Sequence, residues 1–159
     1  PQRRLQDGAQ TPRWIRSNPR RHQALSTEAN ERAGKKLKPL LKAVKHWNRQ
    51  HPSSPLRSFH LEVMSYDAFP TPPVGYLEGL EALFSHLSHR VQGPCPDPGR
   101  LGPDVDEGMS PTQREAARQL LTSAAKHVRL AQEERTSHLA QAHSRLRPLL
   151  GEFYRERGP

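Results

Sequence analysis

The stretch LKPLLKAVKHWNRQHPSSPLRSFHLEVMSYDAF, from Leu37 to Phe69, determines the predicted fold. It predicts two helices joined by a short connection rich in proline and serine. In the first helix, apolar residues from Leu40 to Trp47 recur at the spacing of one buried stripe. The opposite face is basic and consists of Lys38, Lys42, Lys45 and Arg49. Such a face is typical of a solvated helix surface, but it also suits an anionic ligand.

The second helix of this stretch is predicted to be buried. Ser54 is a suitable N-cap and Pro55 a suitable first helical residue. Apolar residues cover nearly all sides of the helix, so it belongs inside a domain. Glu62 therefore needs a partner, for which Arg57 or a histidine is expected. Ser58 lies near the N-terminal end, where free N–H groups and the helix dipole favour phosphate.

The remaining pattern indicates further helices and no strands. Ser26 or Thr27 is predicted to cap a helix that kinks or restarts near Lys38, because Pro39 cannot continue it unchanged. Residues 76–91 form an amphipathic helix, and Ser110 opens another through a capping box. The predicted fold is an all-α bundle of about five helices. Residues 1–25 are assigned to an extended N-terminal segment and residues 26–157 to one helical nucleotide-binding domain.

Composition restricts the class of partner. The net charge of +9 indicates a phosphate-bearing or otherwise anionic partner. Apolar residues make up only 33%, which is low for a self-contained globular domain, and the chain begins with proline. We therefore expect a piece of a longer polypeptide. No signal peptide or apolar run near the roughly 20 residues of a membrane span is present, so a cytoplasmic protein without membrane association is expected.

Several motifs contain residue types used in catalysis but lack the spacing or the structural context that catalysis needs. Asp104-Val105-Asp106 has the spacing of a magnesium-binding pair, but it lies in a loop rich in proline and glycine. The nine histidines show no metal-ligand spacing, so His22 and His60 are expected to make structural hydrogen bonds. Cys95, as the sole cysteine, cannot form an internal disulfide. No catalytic residue and no metal ligand are predicted in this chain.

The sequence resembles the C-terminal helical half of the cGAS/DncV-like nucleotidyltransferases, including the oligoadenylate synthetases. Val44-Lys45-His46-Trp47, followed after a loop by Ser58-Phe59-His60-Leu61-Glu62, carries the resemblance. Trp14 to Pro19 with His22, Asp97-Pro98 before an alanine-rich helix, and Leu150 to Phe153 extend it over nearly the whole chain. The order and spacing of these motifs are more specific than any one of them.

The resemblance implies roles for four residues. Lys45 would contact the triphosphate of a bound nucleotide, and Lys42 is a weaker second candidate. Ser58 would hydrogen-bond the phosphates, and Phe59 would stack on the nucleobase. Each residue also has a simpler interpretation, because the lysines fit a solvated face and the periodicity of Phe59 alone favours the core.

Two functions of different classes remain open. In the first, the whole enzyme joins nucleoside triphosphates into cyclic or linear oligonucleotide second messengers in antiviral signalling. The Mg²⁺ ions and their carboxylates would then belong to an N-terminal α/β domain that is missing here, and this chain alone would not catalyse the reaction. In the alternative, the chain is a non-catalytic basic helical module that binds nucleic acid or an acidic partner.

Overall fold

The computed structural model of the chain describes residues 18–151 and shows six α-helices in that range. The helices are α1 (Pro19–Arg32), α2 (Leu37–Arg49), α3 (Ser58–Met64), α4 (Tyr76–Arg90), α5 (Pro111–Glu134) and α6 (Leu139–Leu150). No residue between 18 and 151 is in a β-strand. The predicted all-α bundle is confirmed.

The core lies where α2, α4, α5 and α6 meet. Its innermost side chains, all at most 1% exposed, include Val44, Leu83, Phe84, Leu121 and Val128. The rings of Trp47 and Phe84 pack edge to face with centroids 4.9 Å apart, which joins α2 to α4. The pairing of α4 with α5 is the most extensive contact between helices. The apolar stripe predicted for α2 is therefore the stripe that faces this core.

The start of α1 differs from the prediction. Asn18 is its N-cap, because the Asn18 side chain accepts the N–H of Arg21 at 3.1 Å and Pro19 occupies the first turn. Neither Ser26 nor Thr27 caps a helix, since both lie inside α1. Residues 19–25, assigned to the extended N-terminal segment, are therefore helical. Residues 1–17 and 152–157 of the two assigned regions lie outside the described part of the chain.

The restart predicted near Lys38 occurs, but slightly earlier. Gly34 and Lys35 have φ angles of +60° and +62°, which end α1 and redirect the chain. A new helix begins at Leu37, so Pro39 lies in its first turn, where no backbone hydrogen bond is lost. This explains how Pro39 is accommodated without a kink.

The start of α3 also differs. The helix begins at Ser58 with Arg57 as N-cap, and Ser54 does not cap it. The Ser54 hydroxyl instead donates to the Asn48 side-chain oxygen at 2.6 Å and accepts the N–H of Leu56 at 3.3 Å. The helix is consequently short and ends at Met64.

Candidate functional site

The centre of the candidate site is an ion pair between α2 and α3. The Lys45 Nζ lies 2.6 Å from a carboxylate oxygen of Glu62, and both side chains are about three-quarters buried, with exposures of 24% and 27%. Glu62 thus pairs with Lys45, and not with Arg57 or a histidine as expected. An ammonium group has three donors. Its contact with Glu62 therefore leaves Lys45 able to donate to a second anion.

Asn48 fixes the connection between these two helices. Its buried side chain donates to the carbonyl of Leu56 at 2.8 Å and accepts the hydroxyl of Ser54 at 2.6 Å. A buried amide that satisfies two groups of a loop defines the loop's path. Asn48 thereby positions the start of α3.

Ser58 is the first residue of α3 and is exposed. It precedes Glu62 by four residues, so the two side chains lie on the same face of the helix, one turn apart. Because Glu62 holds the Lys45 ammonium, the hydroxyl, carboxylate and ammonium belong to one face of α3. Through Glu62, the structure thus places Lys45 against α3, the helix that begins at Ser58.

Phe59 is partly exposed and does not belong to the buried core. Its exposed fraction is 41%, although its neighbour His60 is only 2% exposed. The ring of His22, from α1, packs edge-on against Phe59 with centroids 5.0 Å apart. One face of α3 is therefore in the core while Phe59 presents an aromatic surface outward.

Phe59 forms one wall of a cavity of about 510 Å³, which we name the Phe59 cavity. A volume of this size is typical of small-molecule sites, which range from roughly 300 to 1,000 Å³. The cavity lies between the start of α1, the start of α3 and the loop before α5. Its lining consists of Pro19, His22, Arg57, Phe59, Asp97, Gly102, Pro103, Asp104, Val105 and Glu107.

Asp97 holds the loop side of this cavity in place. Its carboxylate accepts the backbone N–H groups of Gly99, Leu101 and Gly102 at 3.0–3.1 Å, and it lies 3.4 Å from the His22 ring. Burial alone would raise the pKa of Asp97, but the three N–H bonds and His22 outweigh it and lower the pKa. The contact between His22 and Asp97 was not predicted, although both residues belong to motifs of the family resemblance.

Lys42 lies apart from Phe59. It is exposed and lines a different cavity, of about 360 Å³, together with Pro39, Ala43, His46, Arg49 and Leu150. Neither Lys45 nor Ser58 lines this cavity or the Phe59 cavity. Of the four predicted site residues, Lys45 contacts Glu62 on α3, the helix that also carries Ser58 and Phe59. Lys42 is separate.

The two aspartates of Asp104-Val105-Asp106 have different environments. The Asp106 side chain is 2% exposed, forms an ion pair with Arg114 and accepts the N–H of Cys95 at 3.0 Å. Burial would raise the pKa of Asp106, but Arg114 and the backbone donors lower it. Asp104 is exposed at the Phe59 cavity. Asp106 thus serves the packing of the loop before α5.

Comparisons with known proteins add no family assignment. No model of a known protein family matches the chain, and no curated protein sequence matches it significantly. Within residues 18–151, no group of three or more histidine, cysteine, aspartate or glutamate side chains is placed to bind a metal ion. The helices of the same region include none with the length and apolar character needed to cross a membrane.

Proposed function

We propose that this chain is the C-terminal helical half of a cGAS/DncV-like nucleotidyltransferase and forms the wall of its nucleotide-binding cleft. The observation that carries the proposal is the ion pair between Lys45 and Glu62, with Ser58 one turn ahead on the same face of α3. The lysine and the glutamate come from separate motifs of the resemblance. Their contact places the Lys45 ammonium beside the face of α3 that also carries Ser58.

The other motifs support the same proposal because they meet near Phe59. His22 comes from the N-terminal motif and Asp97 from the Asp-Pro motif, and both line the Phe59 cavity. Three segments that are distant in sequence thus surround one exposed aromatic ring. A base stacked on an aromatic side chain gains roughly 1–3 kcal/mol, and stacking does not depend on the identity of the base.

The chemistry of this wall is positioning and charge neutralisation. Phosphoryl transfer depends mainly on aligned reactants and on cations that stabilise the phosphate oxygens. Lys45 would hold a triphosphate oxygen, the Ser58 hydroxyl would donate to another, and Phe59 would orient the base. Each of these contacts binds or orients the nucleotide, and none transfers a proton.

The residues of the described region do not fit a catalytic magnesium site. Asp106 is committed to Arg114, and no group of three or more histidine, cysteine, aspartate or glutamate side chains in that region is placed to hold a metal ion. Under this proposal the Mg²⁺ ions are therefore held by the N-terminal catalytic domain. This chain contributes the binding of nucleoside triphosphates.

A basic module that binds nucleic acid is the second candidate function. It is favoured by the exposure of Lys38, Lys42 and Arg49 on one face of α2. That face is interrupted at Lys45, because its side chain is only 24% exposed and is held against α3 by Glu62. This interruption favours the nucleotide-binding proposal over an extended phosphate-binding surface.

The test compares two variants that break the same ion pair. Lys45→Met keeps the aliphatic stem and removes the ammonium, whereas Glu62→Gln keeps the ammonium and removes the competing carboxylate. We expect Lys45→Met to weaken ATP binding by about tenfold or more, because a charged hydrogen bond contributes roughly 1.5–3 kcal/mol. Glu62→Gln should bind ATP at least as tightly as the wild-type chain. Isothermal titration calorimetry measures both affinities.

Thermal unfolding without nucleotide is the control for this experiment. Both variants lose the same ion pair, so they should be destabilised to a similar extent. A purely structural ion pair would give equal changes in ATP affinity for both variants. That result, or the failure of the wild-type chain to bind ATP, would refute the proposal.

A further inference from the structure

The Phe59 cavity places a hydrogen-bond donor and two acceptors beside an exposed aromatic ring. Arg57, the residue before α3, lines the cavity, and so do Asp104 and Glu107 in the loop before α5. We infer that this cavity selects guanine over the other nucleobases, an inference that rests on the proposed nucleotide-binding function. Arg57 reads the acceptor edge of the base, and the two carboxylates read its donor edge.

Arg57 contacts the backbone of one of the two acidic residues. The Arg57 guanidinium donates to the backbone carbonyl of Glu107 at 3.4 Å, a long contact that leaves its other N–H groups available. The side chain of Arg57 is thereby held next to the residue that carries one of the acceptors. A base stacked on Phe59 would present its acceptor edge to Arg57 and its donor edge to the carboxylates at the same time.

The carboxylates of Asp104 and Glu107 are available to a ligand. Both residues are exposed, and neither has an ion-pair partner among residues 18–151. Asp97, the third carboxylate of the cavity, is occupied by three backbone N–H groups and His22. Among the carboxylates of the cavity, Asp104 and Glu107 are therefore the ones that can recognise the donor edge of a base.

Guanine matches this arrangement better than adenine does. Guanine offers the O6 and N7 acceptors to arginine, the commonest base-specific contact of that side chain, and its N1–H and N2 amino group can donate to carboxylates. Adenine has an amino group in place of O6, which would oppose a guanidinium N–H with another donor. Adenine also has a lone pair at N1, which would face a carboxylate oxygen. Cytosine and uracil offer a smaller surface for stacking on Phe59.

The test titrates the 159-residue chain with GMP, IMP and AMP and follows the amide resonance of Phe59 by NMR. The three ligands share the ribose and the phosphate, and IMP is GMP without the N2 amino group. We expect affinity to fall in the order GMP, IMP, AMP, with GMP preferred over AMP by about tenfold or more.

Variants assign each part of the recognition. Asp104→Asn combined with Glu107→Gln should abolish the difference between GMP and IMP, because the acceptors for the N2 amino group lose their charge. Arg57→Gln should bring the affinities for GMP and AMP together. Glu31→Gln and Arg129→Gln remove exposed charges of the same types on α1 and α5 and should leave the preference unchanged.

The possible failures are distinguishable. Equal affinities for GMP and AMP, with ATP binding that still depends on Lys45, would refute guanine selection and leave the proposed function intact. An Arg57→Gln variant that weakens GMP and AMP by the same factor would show that Arg57 contacts phosphate, which also refutes it. Absence of binding by any of the nucleotides at millimolar concentration would refute both proposals.

Discussion

Lys45 illustrates how far the role of a single residue can be predicted from the sequence. Its position on the basic face of α2 and the resemblance both identified it as a candidate, but its partner was not identified. The partner depends on which face α3 turns toward α2, and that rotation is set by the core. Arg57, the expected partner of Glu62, reaches Glu107 instead. Neither the contact of Lys45 with Glu62 nor that of Arg57 with Glu107 can be predicted from sequence spacing alone.

His60 is the residue whose burial has the clearest energetic consequence. It is 2% exposed, and its Nε2 atom has no hydrogen-bond partner among residues 18–151, so the structural hydrogen bond expected of it is missing at that atom. Burial lowers the pKa of His60 below 6.5. The nearby Asp106 opposes this shift, whereas Arg114, Arg57 and Arg90 add to it. Burial therefore favours the neutral form of His60 in the folded protein.

We predict that the free energy of unfolding decreases on acidification through the titration of His60. A group with a lowered pKa in the folded state contributes its full stability above the unfolded pKa of 6.5 and loses it as the pH falls. The loss should approach at most about 1.4 kcal/mol per pH unit below that value. Urea unfolding at several values between roughly pH 7.5 and 5.5 measures it.

The variant His60→Leu is the control, because leucine is apolar at every pH. Its stability should depend less on pH than that of the wild-type chain over the same interval. Identical slopes for the two proteins would contradict the assignment of the pH dependence to His60. Titration of other histidines affects both proteins equally and cancels in the comparison.

At the scale of helices, the sequence predicted best where one local signal acts alone. The capping box at Ser110 is present, with hydrogen bonds to Gln113 in both directions, and α5 begins where predicted. The starts of α1 and α3 were predicted wrongly. Ser54 also precedes a proline, but it lacks the glutamine three residues later, and its hydroxyl is engaged by the side chain of Asn48, which is a tertiary contact. Asn18 caps α1 ahead of an arginine-rich stretch that shows no apolar periodicity.

We predict that Ser110→Ala lowers the free energy of unfolding by about 1 kcal/mol, the usual cost of removing a side-chain N-cap. The substitution leaves the N–H of Gln113 without its acceptor at the start of α5. Urea unfolding followed by circular dichroism measures the change. Ser54→Ala is the matched comparison, since the prediction from sequence gave both serines the same role.

The Ser54→Ala variant should behave differently from Ser110→Ala. Loss of the Ser54 hydroxyl leaves the Asn48 oxygen without a donor and frees the connection between α2 and α3. It should therefore weaken ATP binding through the position of α3, whereas Ser110→Ala should leave ATP affinity unchanged. Equal effects on ATP affinity would contradict the role assigned to the Asn48 contacts.

At the scale of the whole molecule, the fold class was predictable and the cavity was not. The all-α class follows from helical periodicity along the chain, which is a local property. The Phe59 cavity requires α1, α3 and the loop before α5 to meet. Asp97 contributes through its contact with His22, which is far away in sequence. Asp106 contributes through its contacts with Arg114 and Cys95, which define a loop without periodicity.

The net charge of +9 leads to a last prediction, which separates nucleotide binding from nucleic-acid binding. We expect the chain to bind duplex DNA weakly through diffuse attraction, because Glu62 holds the Lys45 side chain against α3 and the basic face of α2 is thereby interrupted. Two double variants test this expectation. Lys38→Gln with Arg49→Gln removes two exposed charges from α2, and Lys126→Gln with Arg129→Gln removes the same two types from α5.

Diffuse attraction depends on total charge, so both double variants should weaken DNA binding by the same factor. Fluorescence anisotropy between about 50 and 200 mM salt measures the affinity and its salt dependence. A nucleic-acid interface on α2 would instead lower the salt slope by about 2 in the α2 variant alone, because each phosphate contact contributes roughly one unit. That outcome, combined with ATP binding that is insensitive to Lys45→Met, would establish the basic module as the correct function. Equal weakening of DNA binding by both double variants, together with ATP binding that depends on Lys45, would support nucleotide binding as the function.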